Sequence, residues 1–173
     1  GTGVLPELVP LVRGHLAEGA RRAGRDPDEL DVWWLMGASI ADTPEEAKDA
    51  IATHLAAAAN ACFRSGFAGK GVPAELEPRI AELVRGYDYG EHELPGAGRR
   101  NVRRVHELGL SGYLGRRFAI AEDPDGFAAR VNEMASWGAD RLWFTMPLPD
   151  KLAFLDAVRR HVTPRLHDKE TVS

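Results

Sequence analysis

Ile120 to Pro147, IAEDPDGFAARVNEMASWGADRLWFTMP, reads as one complete helix-to-strand unit with its own start and stop signals. Asp123 can accept the first free N–H groups of a helix. Pro124 suits the first helical position, where its missing N–H costs nothing, and Asp125 favours the positive end of the helix dipole. Phe127, Val131, Met134 and Ala135 recur at three- and four-residue spacing and make one apolar stripe, and Gly138 follows as a left-handed C-cap. Leu142 to Thr145, LWFT, is a short apolar run without alternation, the pattern of a strand buried on both faces of a parallel sheet. Met146 to Pro149 end it, and Asp150 to Arg165 resumes helical spacing through Leu152, Leu155, Val158 and Val162.

The same grammar occurs once upstream. IADTPEEA, Ile40 to Ala47, shares Ile-Ala, an acid, a capping residue, Pro and a second acid with IAEDPDGF, and Thr43 with Glu46 fits a capping box. Two well-capped helix starts explain that match without a repeat fold. Before it, VWWLMGAS, Val32 to Ser39, is a second strand without alternation, with Trp33 and Trp34 read as core and the Gly37 to Ser39 end facing any site. Further upstream, Gly1-Thr2-Gly3 precedes a helix over Pro6 to Ala23 that buries Leu8, Val9, Leu11, Val12 and Leu16. The Gly-Thr-Gly turn reads either as a terminus of small residues or as backbone N–H groups able to hold an anion.

From Thr43 the pattern is helical to about Phe63, rich in alanine, with His54 read as a solvated or core histidine rather than a ligand. Arg64 to Pro73 reads as a loop with Lys70 solvated, and Ala74 to Arg85 as a short helix. Gly86 to Gly98, GYDYGEHELPGAG, breaks all periodicity and gathers Tyr87, Asp88, Tyr89, Glu91 and His92, a mixture suited to a functional loop. No nucleophile, carboxylate pair or metal spacing accompanies it. A basic helix follows at Arg99 to Leu108, then a turn, LGLSGYLG, and Arg116-Arg117 before the apolar run Phe118 to Ala121. These arginines read as surface charges, or one of them as a bidentate anion partner.

The chain has 173 residues, of which 44% are hydrophobic, enough for one core and one domain over 1–173, with residues 166–173 as a flexible tail. Net charge is -4 with both signs interspersed, which leaves no electrostatic footprint for nucleic acid. The single cysteine, Cys62, excludes an internal disulfide and suits a reducing, cytoplasmic compartment. No apolar run approaches the roughly 20 residues of a membrane span, and the opening Gly-Thr-Gly lacks the basic region of a signal peptide, so an unexported chain is expected.

Taken in order, the helix starting at PEL, GARRAGRDPDELDVWW, IADTPEEAKDAI, YDYGEHELPG, RRFAIAEDPDGFAARV and WGADRLWFTMP closing with VTPRL resemble the luciferase-like flavin oxidoreductases. More narrowly, they resemble the actinobacterial branch that uses the deazaflavin coenzyme F-420. The resemblance implies an α/β fold, the C-terminal part of a luciferase-like (β/α)8 barrel, mostly helical with two or three short parallel strands. A whole barrel takes about 250 residues. Val32 to Ala38 and Leu142 to Thr145 would be its seventh and eighth strands, Gly1 to Gly3 the loop beyond the sixth, and residues 64–117 a helical and loop insertion between barrel strands.

By the same resemblance Gly1, Thr2 and Gly3 are expected at the cofactor. Thr2, His92 and Arg117 are expected at a small-molecule substrate, Thr2 and Arg117 where sugar-phosphate dehydrogenases of the family hold the substrate phosphate. The lysines of that pattern are missing here. The implied function is the C-terminal segment of an oxidoreductase that moves hydride between substrate carbon and the ring of F-420, or of FMN as the alternative, without the full active site in this chain alone. The competing reading is a catalytically silent barrel remnant that acts as a structural or dimerising protein. Either way, strands apolar on both faces call for cover, so a homodimer or the N-terminal half of the barrel is expected as partner.

Overall fold

The computed structural model describes residues 3–92, 94, 99–146 and 148–166. Its elements run α1 (Leu8–Arg22), β1 (Trp34–Ile40), α2 (Pro44–Ala50), α3 (Ala52–Phe63), α4 (Glu77–Arg85), α5 (Arg100–Glu107), α6 (Ser111–Phe118), β2 (Ala119–Glu122), α7 (Pro124–Ser136), β3 (Leu142–Thr145) and α8 (Lys151–Ala157). Beyond α8 come a π-helical turn, Val158–Val162, and a 3-10 turn, Thr163–Arg165. Of the expected tail only Leu166 lies among the described residues, and Pro147, expected to help end the last strand, lies outside them.

The deciding stretch folds as its end chemistry dictates. Asp123 Oδ1 accepts from the N–H groups of Asp125 at 3.0 Å and Gly126 at 2.8 Å, Pro124 opens α7, and Gly138 turns the chain out of it at φ +89°. The upstream copy of this grammar also opens a helix: Thr43 Oγ1 accepts from Glu46 N–H at 3.3 Å, and Pro44 is the first residue of α2. The helix expected from Thr43 to Phe63 breaks at Ile51, whose backbone leaves the helical region at φ -115°, ψ 11°.

Three parallel strands form one sheet in the order β2-β1-β3. β2 pairs with Gly37 to Ile40 of β1, and β3 pairs on the other side with Trp34 to Gly37. Side chains alternate across a strand, so register sorts them into two faces. Trp34, Met36, Ala38, Ile120 and Phe144 share one face with Phe127, Met134, Phe154 and Val162, a core supplied by α1, α7, α8 and the π turn. Trp33, Leu35, Gly37, Ala119, Ala121, Trp143 and Thr145 lie on the other.

That second face is covered only at its β2 side. There α3 is the hub against which α4, α5 and α6 pack, and its alanines let these helices approach closely. Ile51, Leu55, Phe63, Ile80, Leu83, Val105, Leu110, Leu114 and Phe118 close this second core over Ala119 and Ala121. The rest of the face is open: Trp33 is 55% exposed, Leu35 49% and Trp143 64%. The two strands therefore depart from the expectation of burial on both faces, because among the described residues α3 reaches over their inner side only where His54 lies on Gly37 and leaves the tryptophans uncovered.

Three further expectations are corrected. LGLSGYLG is a turn only at Leu108 and Gly109: α6 begins at Ser111 and runs on to Phe118, because Leu110, Leu114 and Phe118 recur every four residues and are all buried, outweighing Gly112 and Gly115. Phe118 consequently ends a helix rather than starting a strand. Along α8, Leu152 and Leu155 are exposed while Phe154 is buried, so the stripe read from the sequence is displaced. Leu16 of α1 is also exposed.

Candidate functional site

A cavity of about 280 Å³ opens on the inner face of the sheet, lined by Gly3, Leu35, His54, Ala57, Ala58, Ala61, His92, Phe118 and Thr145. β1 supplies Leu35 as its floor, β3 ends on it with Thr145, and α3 forms one wall with its alanines. Two of the residues expected at a site, Gly3 and His92, come together here from positions far apart in the chain. Thr2 and Gly1 lie outside the described residues.

His92 follows a single 3-10 turn, Tyr89–Glu91, that Asp88 caps by accepting from Gly90 N–H at 2.9 Å. The loop is tied down by Asn101 at the start of α5, which accepts from Asp88 N–H and donates to Asp88 O, both at 2.8 Å. Tyr87 is buried, and its hydroxyl lies 2.6 Å from His92 Nδ1. His92 thus reaches the cavity wall with buried Tyr87 behind it, whereas Tyr89 is exposed.

His54, read from the sequence as a solvated or core histidine, is half-buried and lines the same cavity. A Cβ at Gly37 would stand 2.5 Å from His54 Cδ2 and 2.8 Å from its Nε2, so the imidazole occupies the space a side chain at position 37 would need. A glycine inside an apolar strand is the sequence signal for such a close approach. Thr145 donates its hydroxyl hydrogen to Met36 O at 3.3 Å.

Arg117 does not line this cavity. Its stem passes behind Gly3, whose φ of +85° and lack of a side chain permit the contact: a Cβ there would meet Arg117 Cγ at 2.5 Å. The guanidinium is fully buried and donates to Gly71 O at 3.1 Å, to Lys70 O at 2.5 Å and to the Tyr113 hydroxyl. Phe63, Phe118 and Tyr113 surround it, with ring centroids 5.0, 5.5 and 5.7 Å away. Lys70, expected to be solvated, donates to Cys62 O at 2.6 Å and to Ser65 Oγ at 3.0 Å. Together these cations fasten the loop after α3 to α6 through main-chain carbonyls. Burial pushes the Tyr113 hydroxyl pKa up, partly offset by Arg117 beside it.

Among the described residues no cluster of three or more His, Cys, Asp or Glu side chains could hold a metal ion, and no helix is long and apolar enough to cross a membrane. A larger hollow of about 480 Å³ lies along the outer edge of β2, but its Arg130 is already held by Glu133 and by Arg116 O.

Comparison with known proteins connects this geometry to a family. An F-420-dependent glucose-6-phosphate dehydrogenase of Mycobacterium leprae is 24% identical over 160 residues, 92% of this chain and 38% of the relative. One from Mycolicibacterium gilvum is 27% identical over the same shares. The chain thus spans well under half the length of these relatives. The solved coenzyme F-420-dependent tetrahydromethanopterin reductase of Methanopyrus kandleri superposes with a TM-score of 0.65 at 23% identity, over 95% of this chain and 44% of that one. This likeness is one of fold, and it makes the three strands and their helices part of a (β/α)8 barrel. The sequence profile of the luciferase-like monooxygenases matches residues 6–141, and the chain belongs to that family.

Proposed function

We propose that this chain is the C-terminal part of an F-420-dependent oxidoreductase and forms one wall of its ring and substrate pocket. The observation that carries the proposal is the cavity on the inner sheet face, where Thr145 at the C-terminal end of β3 meets Leu35 of β1 and the wall of α3; barrel enzymes place their chemistry at the C-terminal ends of their strands. The dependence on F-420 of the mycobacterial relatives favours the deazaflavin over FMN. The residues present fit such a group: Leu35, Ala57, Ala58, Ala61 and Phe118 offer an apolar surface to a flat ring, with His54 and His92 as polar groups at its edge.

When bound, the deazaflavin supplies the hydride-carrying ring, and the protein supplies placement and electrostatics. In this wall the α3 alanines leave room for a flat face and keep water from it. His92 offers one ring nitrogen to a substrate oxygen while the other is held by Tyr87. Gly3 lets the chain pass close over Arg117, whose part is to hold the cavity's back rather than to meet an anion directly. The substrate is a small molecule. The lysines expected for a sugar phosphate are absent, which separates this pocket from that of the dehydrogenases.

The open inner face is part of the same proposal: the remaining strands of the barrel, or a second copy, lie over Trp33, Leu35 and Trp143. The test is a titration of the 173-residue chain with oxidised F-420 and with FMN, followed by fluorescence. Saturable quenching of F-420, weakened by Ala58→Trp, which fills the wall, is the expected result. The absence of any saturable change for both cofactors would favour the competing reading, a catalytically silent barrel remnant.

A further inference from the structure

We propose that the open edge of β2 is a docking site for a partner protein, which lays one extended, acidic segment along it as an added strand. The groove that holds this edge shares no lining residue with the cavity described above, so the proposal stands apart from the oxidoreductase reading.

Backbone direction supplies the first argument. β2 pairs with β1 alone and forms one margin of the sheet. Main-chain groups of successive residues in a strand point to opposite edges. Glu122 O accepts from Ala41 N–H at 3.3 Å, so the main chain of Glu122, and with it that of Ile120, faces β1. The main chain of Ala119 and Ala121 faces the other way. Ala119 N–H is taken by Gly115 O at the end of α6. Ala119 O, Ala121 N–H and Ala121 O are left with no hydrogen-bond partner among the described residues. An acceptor, a donor and a second acceptor in a row are what the main chain of an added strand requires.

The groove has the shape for such a strand. It is a hollow of about 480 Å³ whose floor is β2 and whose walls are α6 and α7, with Lys48 of α2 at one end. α6 turns Gly112 and Gly115 to it, and a Cβ at either would meet nothing within 4 Å. This bare wall lets a second main chain run beside β2 at the ordinary strand spacing of about 4.8 Å. A single segment can enter between the two helices. A second copy of this chain cannot bring its own β2 there, because that edge is recessed in the same way. Charge then selects the segment. Arg130 and Glu133 pair with each other at 2.5 Å. Lys48 and Arg116 are both exposed and form no ion pair among the described residues, and Glu122 is the one carboxylate left in the lining to set against them. The excess is positive, so acidic side chains suit the added strand, while its main chain supplies the pairing.

Amide NMR of the 173-residue chain tests this with a blocked hexapeptide of alternating valine and glutamate. Two control peptides carry lysine in place of glutamate, or N-methyl groups throughout. The expected result is a saturable downfield shift and slowed exchange of the Ala121 amide with the glutamate peptide. Binding should weaken about tenfold or more with either control. Gly115→Leu, which fills open space in the free chain, should abolish the shift with helix content by circular dichroism unchanged. The pair Lys48→Glu with Arg116→Glu should reverse the order of the glutamate and lysine peptides, and it remains decisive should Gly115→Leu fail to fold. No saturable shift of Ala121, equal binding of the N-methylated peptide, or an unchanged order after charge reversal would each overturn the proposal. An Ala121 shift that grows with the concentration of the chain alone would put a second copy in the groove and overturn it as well.

Discussion

Single side chains in this protein do work that their type conceals. Cys62 is buried in α3 near Arg117 and Lys70, and burial pushes its thiol pKa up against the pull of those two cations. A group whose pKa is raised on folding holds its proton more tightly in the folded chain. Its contribution to stability is intact below the ordinary thiol range and is lost as pH rises through the folded value. Melting temperature should therefore fall as pH rises above the ordinary thiol pKa of about 8.5, with Tyr113, raised in the same way, adding to the decline above the ordinary phenol value of about 10. Cys62→Ala should flatten the first part of that decline, and an unchanged slope in this variant would refute the assignment. None of this was legible beforehand, since a lone cysteine in an alanine-rich helix says nothing of the cations folded against it. The two arginines before β2 were equally opaque: side chain and charge suited an anion, but burial directed Arg117 to Gly71 and Lys70 carbonyls.

Helices and strands were legible where their ends carry chemistry and obscure where they do not. α7 was readable because Asp123, Pro124 and Gly138 specify its limits locally. α6 was not, because it has no side-chain cap and holds two glycines, so only the burial of Leu114 and Phe118 makes it a helix. That account makes a signed prediction. A Cβ at Gly115 meets nothing within 4 Å, so Gly115→Ala should stabilise the chain by about 0.5–1 kcal/mol in urea unfolding. A destabilising result would show a close approach that the packing here does not contain. His54 belongs with α6 in this respect. Helical periodicity left it as filler, and the informative signal lay some way upstream, at Gly37 in another element.

For the molecule as a whole the decisive feature is a sheet with one finished face. Trp33 and Trp143 stand open on it, and we propose that a partner surface covers them, since exposed apolar patches of this kind are sites of association. Light scattering should find the 173-residue chain self-associated, and the pair Trp33→Lys with Trp143→Lys should return it to a monomer without loss of helix by circular dichroism. A monodisperse monomer before substitution would count against cover by a second copy. The sequence by itself determined the strands β1 and β3, the capped helices beside them and the family, because capping, apolar runs and turn residues act over a few positions. Only the tertiary structure decided which side of the strands is closed and where Arg117 donates. It also brought Gly3, His54 and His92 around one cavity, because packing between distant elements, unlike a cap or a stripe, leaves no local pattern in the chain.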